Sequence, residues 1–503
     1  MAPFILFSLI ALANHEPSRD EVQDFLAVSG GSLREIYTYV VYYSASGPLL
    51  YALTTLLACI TKKFIGLAIF SWLIALGSIA LVCANSCFRS YEKILLSLGY
   101  FFLYDYCIYA GRPYGLTVLL VFAFLAFYPW RHQHPRWITV LAALPALASI
   151  PGLIFSIMLL GLLGWDFVKS KRNLAYLFLA VPFLLVSIYV IMPPLGSQEK
   201  TFMMTTLPDT THCYYIVKGI VNRIFIPVTN VNMYYFPHVA VDRPQYSLLL
   251  ALTFLTLTFI VAPRRLLPMV FFWTAAAVFM GLLIIRPGGI RHQGFLMITL
   301  LASVWLERLY EPEKPLFTVR YLHHPTTVQL AFIAILALQA WSGLNAVYID
   351  YKHPNSLGKE AAKFLQKDMA STLPERTLLA TFHSYIAFPV AIFMPQAVRF
   401  YSIELERKFR YIPSSAEWYA AAPIGHPDMY NLQIVMERFL KEAQSGKYDR
   451  IYLILPFPVD VRLNNAVLRL VEMPSTRTVI TGDEVYFIYR LDPNAPPAPG
   501  EKS

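Results

Sequence analysis

The segment His15-Glu16-Pro17-Ser18-Arg19-Asp20-Glu21-Val22-Gln23-Asp24-Phe25 directly follows an apolar stretch at residues 3–14. It packs Glu16, Asp20, Glu21 and Asp24 together in a chain that is otherwise poor in charge. A solvated acidic loop is the plain alternative. The residues that follow favour chemistry instead: Phe25, Leu26, Val28, Leu33, Ile36 and Tyr37 are spaced as one apolar helix face. Such a helix is expected to lie on the membrane surface and hold Asp20 and Glu21 at the bilayer edge. A carboxylate held there can take a proton from an acceptor hydroxyl or help bind a divalent cation.

Two further groupings bring cations. Arg286-Pro287-Gly288-Gly289-Ile290-Arg291-His292-Gln293-Gly294-Phe295 opens an apolar run. Arginine is a bidentate partner for phosphate, and a helix N-terminus adds backbone donors. The alternative is a membrane anchor whose guanidinium reaches the headgroups. Asp105 and Arg112 lie seven residues apart, a spacing that puts them on one face of a helix, and Arg112-Pro113-Tyr114 opens the next apolar run. A structural ion pair is the alternative there. Tyr234-Tyr235-Phe236-Pro237-His238 could stack on a sugar ring or belong to an aromatic belt. His132, His134 and His323-His324 sit in basic turns without zinc-site spacing.

The elements that must position these residues follow from composition. The chain has 503 residues, of which 57% are apolar and 14% are Asp, Glu, Lys or Arg, with a mean hydropathy of +0.51. Soluble domains carry about 25% charged residues. That deficit excludes a soluble enzyme, and the apolar content excludes disorder for most of the chain. A disulfide scaffold is excluded by only 5 Cys, most of them in or beside apolar runs. The composition is that of a polytopic membrane protein. The net charge of +10 points to basic loops and anionic lipids, not to nucleic acid.

Long uncharged runs fill residues 1–349, and 350–492 read as a soluble α/β domain. The Pro-rich tail 493–503 is expected to be disordered. The clearest spans are 64–84, 174–194, 246–263, 267–285 and 327–348, and the shorter ones are 3–14, 47–60, 114–130 and 293–307. The first has neither a basic n-region nor an A-x-A-like site, so a retained helix is expected. Pro145 and Pro151-Gly152 break 137–165 into two short helices, and 92–109 carries Asp105.

Basic clusters at Lys62-Lys63, Arg131 to Arg136, Lys169 to Arg172, Arg264-Arg265 and Arg308 to Arg320 are expected on the cytoplasmic side. This requires 137–165 to cross twice and 92–109 not to cross. The outcome is about eleven crossings, with the C-terminal domain outside and basic residues about threefold denser inside. Asp20, Asp105, Arg112 and Arg291 then share the outer face, and that convergence weighs more than any one motif. In the C-terminal domain, helices are expected at 356–370, 384–393 and 430–444. Strands are expected at 376–381, 397–404 and 451–455, with two more within 476–490. No Gly-rich phosphate loop follows any of these strands.

Asp20-Glu21 after a first helix, Ser46-Gly47-Pro48, Arg112-Pro113-Tyr114-Gly115-Leu116 and Gly289-Ile290-Arg291-His292-Gln293-Gly294-Phe295 together resemble the GT-C superfamily of membrane glycosyltransferases. Within it they are most similar to the branch of aminoarabinose transferases and protein O-mannosyltransferases, over roughly residues 1–350. The resemblance implies an enzyme that moves a sugar from a polyprenyl-phosphate carrier to a glycan, lipid or protein acceptor. It would act on the outer face of a bacterial cytoplasmic membrane, or on the luminal face of an endoplasmic reticulum membrane. Asp20 maps to an essential first-loop carboxylate, the general base, with Glu21 supporting it or sharing a divalent cation. Arg112, Arg291 and His292 map to the lipid-phosphate clamp, with Asp105 and Tyr114 as supporting residues. No other cofactor is implied. The short first helix departs from the family pattern.

The chemistry is coherent, because a phosphate leaving group needs cations and the attacking hydroxyl needs a base, but no protein nucleophile is required. A lipid or sugar transporter is the rival and would account for Asp105 without catalysis. It would favour internal repeats, and none is visible in the sequence. A scaffold presenting the outer domain would give Asp20 and Arg291 no common task.

Overall fold

A computed structural model describes residues 1–30, 36, 47–61, 63–109, 111–191, 210–229, 244–285, 289–310, 314–316, 319, 322–382, 387–410, 432–456, 468–472, 479 and 484–491. The protein is a polytopic helical membrane protein with a C-terminal sheet. Five described helices are long and apolar enough to cross a bilayer: Phe64–Asn85, Pro113–Trp130, Ile150–Lys169, Leu266–Ile285 and Pro325–Lys352. The elements used below are α1 (Ala2–Asn14), α2 (Arg19–Gly30), α3 (Pro48–Thr61), α4 (Phe64–Asn85), α5 (Ser90–Ser97) and α6 (Pro113–Phe127). They continue with α7 (Pro135–Ala143), α8 (Ile150–Lys169), α9 (Val181–Ile191), α10 (Thr210–Phe225), α11 (Pro244–Val261), α12 (Leu266–Ile285), α13 (Ile290–Leu309) and α14 (Pro325–Lys352). Proline opens α6, α7 and α14, where its fixed φ suits the first turn and its missing N–H is not needed.

The helical body has two ends. At one, buried Asp166 of α8 accepts from the hydroxyls of Tyr128 (2.5 Å) and Tyr310 (3.0 Å), and Arg131 closes the network. Arg265 pairs there with Glu307, and Arg308 forms a two-pronged bond to Glu92 at 2.7 and 2.8 Å. The other end carries α2 and the C-terminal domain. Arg131 and Asp166 thus bring the start of α7 and the end of α8 to the same end, so the 137–165 region goes up and comes back. Ser149, at its apex, meets Thr117 of α6 at 2.8 Å.

Two expectations about crossing are exchanged. Helix α3 stays at the domain end, because Gly47 donates to the Ala148 carbonyl at 2.8 Å and Tyr51 and Ala58 pack with Phe25 and Val28 of α2. Phe64 then meets Phe25 edge-on, so Lys63 lies beside α2 and not with the other basic clusters. Conversely, residues 90–109 run the length of the body, from Glu92 beside Arg308 to Tyr106 beside Arg291. The basic-cluster rule fails at Lys62-Lys63 because a helix of 14 residues doubles back instead of traversing; Lys62 itself lies outside the described residues.

Close approach of α14 to the turn after α5 depends on Gly343. A Cβ there would stand 2.2 Å from the Leu98 carbonyl oxygen. Gly343→Ala is therefore expected to destabilise the body by about 1–3 kcal/mol through overpacking. A thermal unfolding scan in detergent checks this, and an unchanged Tm would refute the close contact.

In the C-terminal domain, β1 (Thr377–Thr381), β2 (Phe400–Ser402), β3 (Arg407–Phe409), β4 (Arg450–Leu455), β5 (Leu468–Glu472) and β6 (Phe487–Leu491) form one sheet in the order β3-β2-β1-β4-β6-β5. Strand β1 pairs in parallel with β2 and β4, and the outer pairings are antiparallel. Alternation along the strands builds two cores. One joins Leu378, Leu453 and Tyr489 to Met436 and Phe439 of the helix Leu432–Ala443. The other joins Leu379, Tyr452 and Ile488 to Ala362 and Leu365 of the helix Gly358–Asp368, and includes Val22 and Leu26 of α2.

Helix α2 is therefore not laid bare on a membrane surface. Its Val22/Leu26 face enters the domain core, while Phe25 and Val28 pack on α3 and α4. Of the expected elements, 384–393 contains only the short helix Phe388–Ala391 among its described residues. Within 476–490 the described strand is β6, and β5 comes earlier at Leu468–Glu472. The tail 493–503 lies outside the described residues.

Candidate functional site

Asp20 stands in the first turn of α2, where a negative charge suits the helix dipole. Its Oδ2 lies 3.1 Å from Arg112 Nη2 and 3.9 Å from Arg291 Nη1, with a third of the side chain open. Arg112 directly precedes the first turn of α6, and Arg291 lies in the first turn of α13. Three helix starts from distant parts of the sequence thus bring one carboxylate and two guanidiniums together. Burial alone would raise the Asp20 pKa, but Arg112, then Arg291, Arg19 and His292, outweigh it and hold the carboxyl below its usual range. Asp20 is ionised at neutral pH.

The remaining expected residues surround this pair. His292 Nε2 lies 2.9 Å from the Tyr114 hydroxyl, with the rings edge to face. The Tyr106 hydroxyl donates to the Arg291 carbonyl at 2.8 Å, and its ring stacks on Phe295. Gly294 makes room for this, because a Cβ there would meet Phe101 at 2.4 Å and the Tyr106 hydroxyl at 2.5 Å. Asp105 is buried at the end of a π-helical turn, Phe101–Asp105, with Arg291 as its charged neighbour. Its Oδ2 has no hydrogen-bond partner among the described residues. The expected continuous helix from Asp105 to Arg112 is not formed. The chain turns after Tyr106, and Gly111 takes a φ of 76°. Arg112 is thereby turned to Asp20.

Glu21 points away from this cluster. Its Oε2 accepts from the Ser18 backbone N–H at 2.8 Å and the Ser18 hydroxyl at 3.0 Å, and lies 3.0 Å from His15 Nε2. The other ring nitrogen of His15 lies 3.0 Å from Asp350 at the end of α14. All three side chains are almost wholly buried. Burial opposes a charge on His15, but Asp350 and Glu21 outweigh it and raise its pKa well above the ordinary value. Sequence reasoning missed both His15 and Asp350 as site residues. The only signal was a His and a Glu six apart; the partner carboxylate is 335 residues away.

The arrangement offers two cations and hydroxyl groups around one half-open carboxylate, which could act as a base. It does not fit a divalent cation shared by Asp20 and Glu21, since the former faces two guanidiniums and the latter is engaged by Ser18 and His15. Among the described residues no group of three His, Cys, Asp or Glu has the arrangement of a metal site. Arg286, Tyr234 to His238 and the Asp24 side chain lie outside the described residues.

The fold is similar to solved structures. ArnT from Cupriavidus metallidurans bound to undecaprenyl phosphate is 12% identical with a TM-score of 0.48, covering 97% of each chain. The same protein in the apo state is 10% identical with a TM-score of 0.49 over the same coverage. The archaeal oligosaccharyltransferase AglB from Archaeoglobus fulgidus, in complex with an inhibitory peptide and a dolichol-phosphate, is 12% identical with a TM-score of 0.40. That match covers 90% of this chain and 68% of that one. No protein-family model matches the sequence, and no curated protein does.

Proposed function

We propose that this chain is a GT-C-type glycosyltransferase that moves a sugar from a polyprenyl-phosphate carrier to an acceptor hydroxyl at the domain end. The observation that carries this reading is the half-open Asp20 carboxylate between Arg112 and Arg291, at the converging N-termini of α2, α6 and α13.

In the reaction the acceptor oxygen attacks the anomeric carbon, the bond from that carbon to the phosphate oxygen breaks, and the acceptor proton goes to Asp20. The phosphate leaves with one more negative charge, which the two guanidiniums and the helix N-termini offset. Before the donor binds, Asp20 occupies those cations. A lipid phosphate that takes them over neutralises the charges holding the Asp20 pKa down, so the carboxylate becomes a stronger base when its proton acceptor role is needed. Tyr114 and His292 line the same cluster and supply polar groups beside it. Glu21 acts on the position of α2 and not on substrate.

The test is incubation of the purified protein with a panel of polyprenyl-phosphate sugars and simple acceptors, scored for free polyprenyl phosphate. Release that depends on acceptor and on one donor sugar is the expected result. Intact donor across the whole panel, from protein that binds polyprenyl phosphate, would overturn the transferase reading in favour of lipid transport.

A further inference from the structure

We propose that His15, clasped between Glu21 and Asp350, is a positioning residue through which the C-terminal domain and α14 hold the Asp20 helix in register with the two arginines. The proposal rests on the transferase reading for its rate effects, but not for its structural ones.

Residues 15–18 tie α2 to α1, and Phe25 and Val28 pack it on α3 and α4. Its other face is held from the far end of the sequence. Val22 and Leu26 are part of the core that also contains Leu379, Tyr452 and Ile488. The Arg19 backbone N–H, at the start of α2 where the helix supplies no acceptor of its own, donates to the Glu484 carboxylate at 2.9 Å. The Glu484 carbonyl in turn accepts from Leu357 at 3.0 Å, tying this cap to the linker after α14. His15 completes the set, with one nitrogen on Glu21 in the first turn of α2 and the other on Asp350 in the last turn of α14.

The clasp is coupled to the acid through Tyr109. His15 meets the Tyr109 ring edge to face at 5.4 Å, and the Arg291 guanidinium lies over the same ring at 4.9 Å. A shift of His15 therefore moves both the helix that carries Asp20 and the wall that supports Arg291. Three buried ionisable groups are expensive to desolvate, and an apolar joint would be at least as stable. What the charged clasp supplies is a fixed register, because only one rotation of α2 brings Glu21 to His15 and Asp20 to Arg112 together.

The experiment compares His15→Ala and His15→Gln in the full-length protein. Amide exchange over residues 19–30 is followed by mass spectrometry, and kcat and donor KM are measured per folded molecule. His15→Ala is expected to raise exchange across α2 and to lower kcat about 10- to 100-fold with donor KM little changed, since misplacement of about 1 Å costs on that order. His15→Gln, which can bridge both carboxylates by hydrogen bonds without charge, is expected to recover part of both. Unchanged exchange in His15→Ala would overturn the proposal. So would a lower Tm with wild-type kcat per folded molecule, which is the mark of a merely structural residue. If the wild type transfers no sugar, the transferase reading fails by itself, and the exchange measurement still decides whether His15 fixes α2.

Discussion

Asp20→Asn is expected to lower sugar transfer by about 10²–10⁴-fold, the usual contribution of a positioned base, while the protein stays folded and in the membrane. Asparagine keeps the shape and can still accept a hydrogen bond from Arg112, but it cannot take a proton. On the proposed mechanism Asp20 competes with the lipid phosphate for Arg112 and Arg291, so the variant should bind donor as well as the wild type or better. The signature is thus a fall in kcat without a rise in donor KM. The pH dependence has a definite sign. The Asp20 pKa is lowered, so the stability its ion pairs provide is present above the ordinary carboxylate pKa and is lost only as pH falls through the lowered one. An acid limb in kcat/KM between pH 5 and 7 then belongs to another group, whereas one in kcat alone is expected from Asp20 itself once the donor phosphate has taken its cations. Wild-type turnover in Asp20→Asn would remove the base from the mechanism.

Arg112→Gln should cost about 10²–10³ in kcat, as loss of one donor to a developing anion does, and should also weaken donor binding. Arg112 is a cleaner probe than Arg291, whose removal would also deprive buried Asp105 of its cation. Arg112→Lys should recover only part of the loss, because an ammonium restores the charge and not the planar fork. Steady-state kinetics with the active donor checks both variants, alongside binding of polyprenyl phosphate alone. A variant with unimpaired donor affinity and turnover would take Arg112 out of the clamp. Asp20 should then no longer be drawn as its competitor.

Asp20, Arg112 and Arg291 were legible because charge is rare in the first 349 residues, so each surviving charge next to an apolar run stands out. Their mutual distance was not legible, since it depends on a π-helical turn and on Gly111 in a left-handed conformation. The adjacency of Asp20 and Glu21 suggested a shared task, but successive helix residues point about 100° apart, and the two serve different clusters. Lys62-Lys63 misled because charge density marks a loop without telling whether the preceding helix traverses or returns. In the C-terminal domain, apolar β1 and β4 announced themselves, whereas β3 is three residues with an exposed pair, Arg407 and Lys408, and carries no pattern.

The knot of Asp166, Tyr128, Tyr310 and Arg131 closes the end of the helical body opposite the site. Removing one partner from such a buried charged group costs about 3–5 kcal/mol. A carrier that opened this end in each cycle would have to undo that knot. A one-sided vessel never has to. On the proposed transferase reading that end stays shut, reactants are expected to reach Asp20 from the domain end, and the proton it takes would leave on the side where it was made.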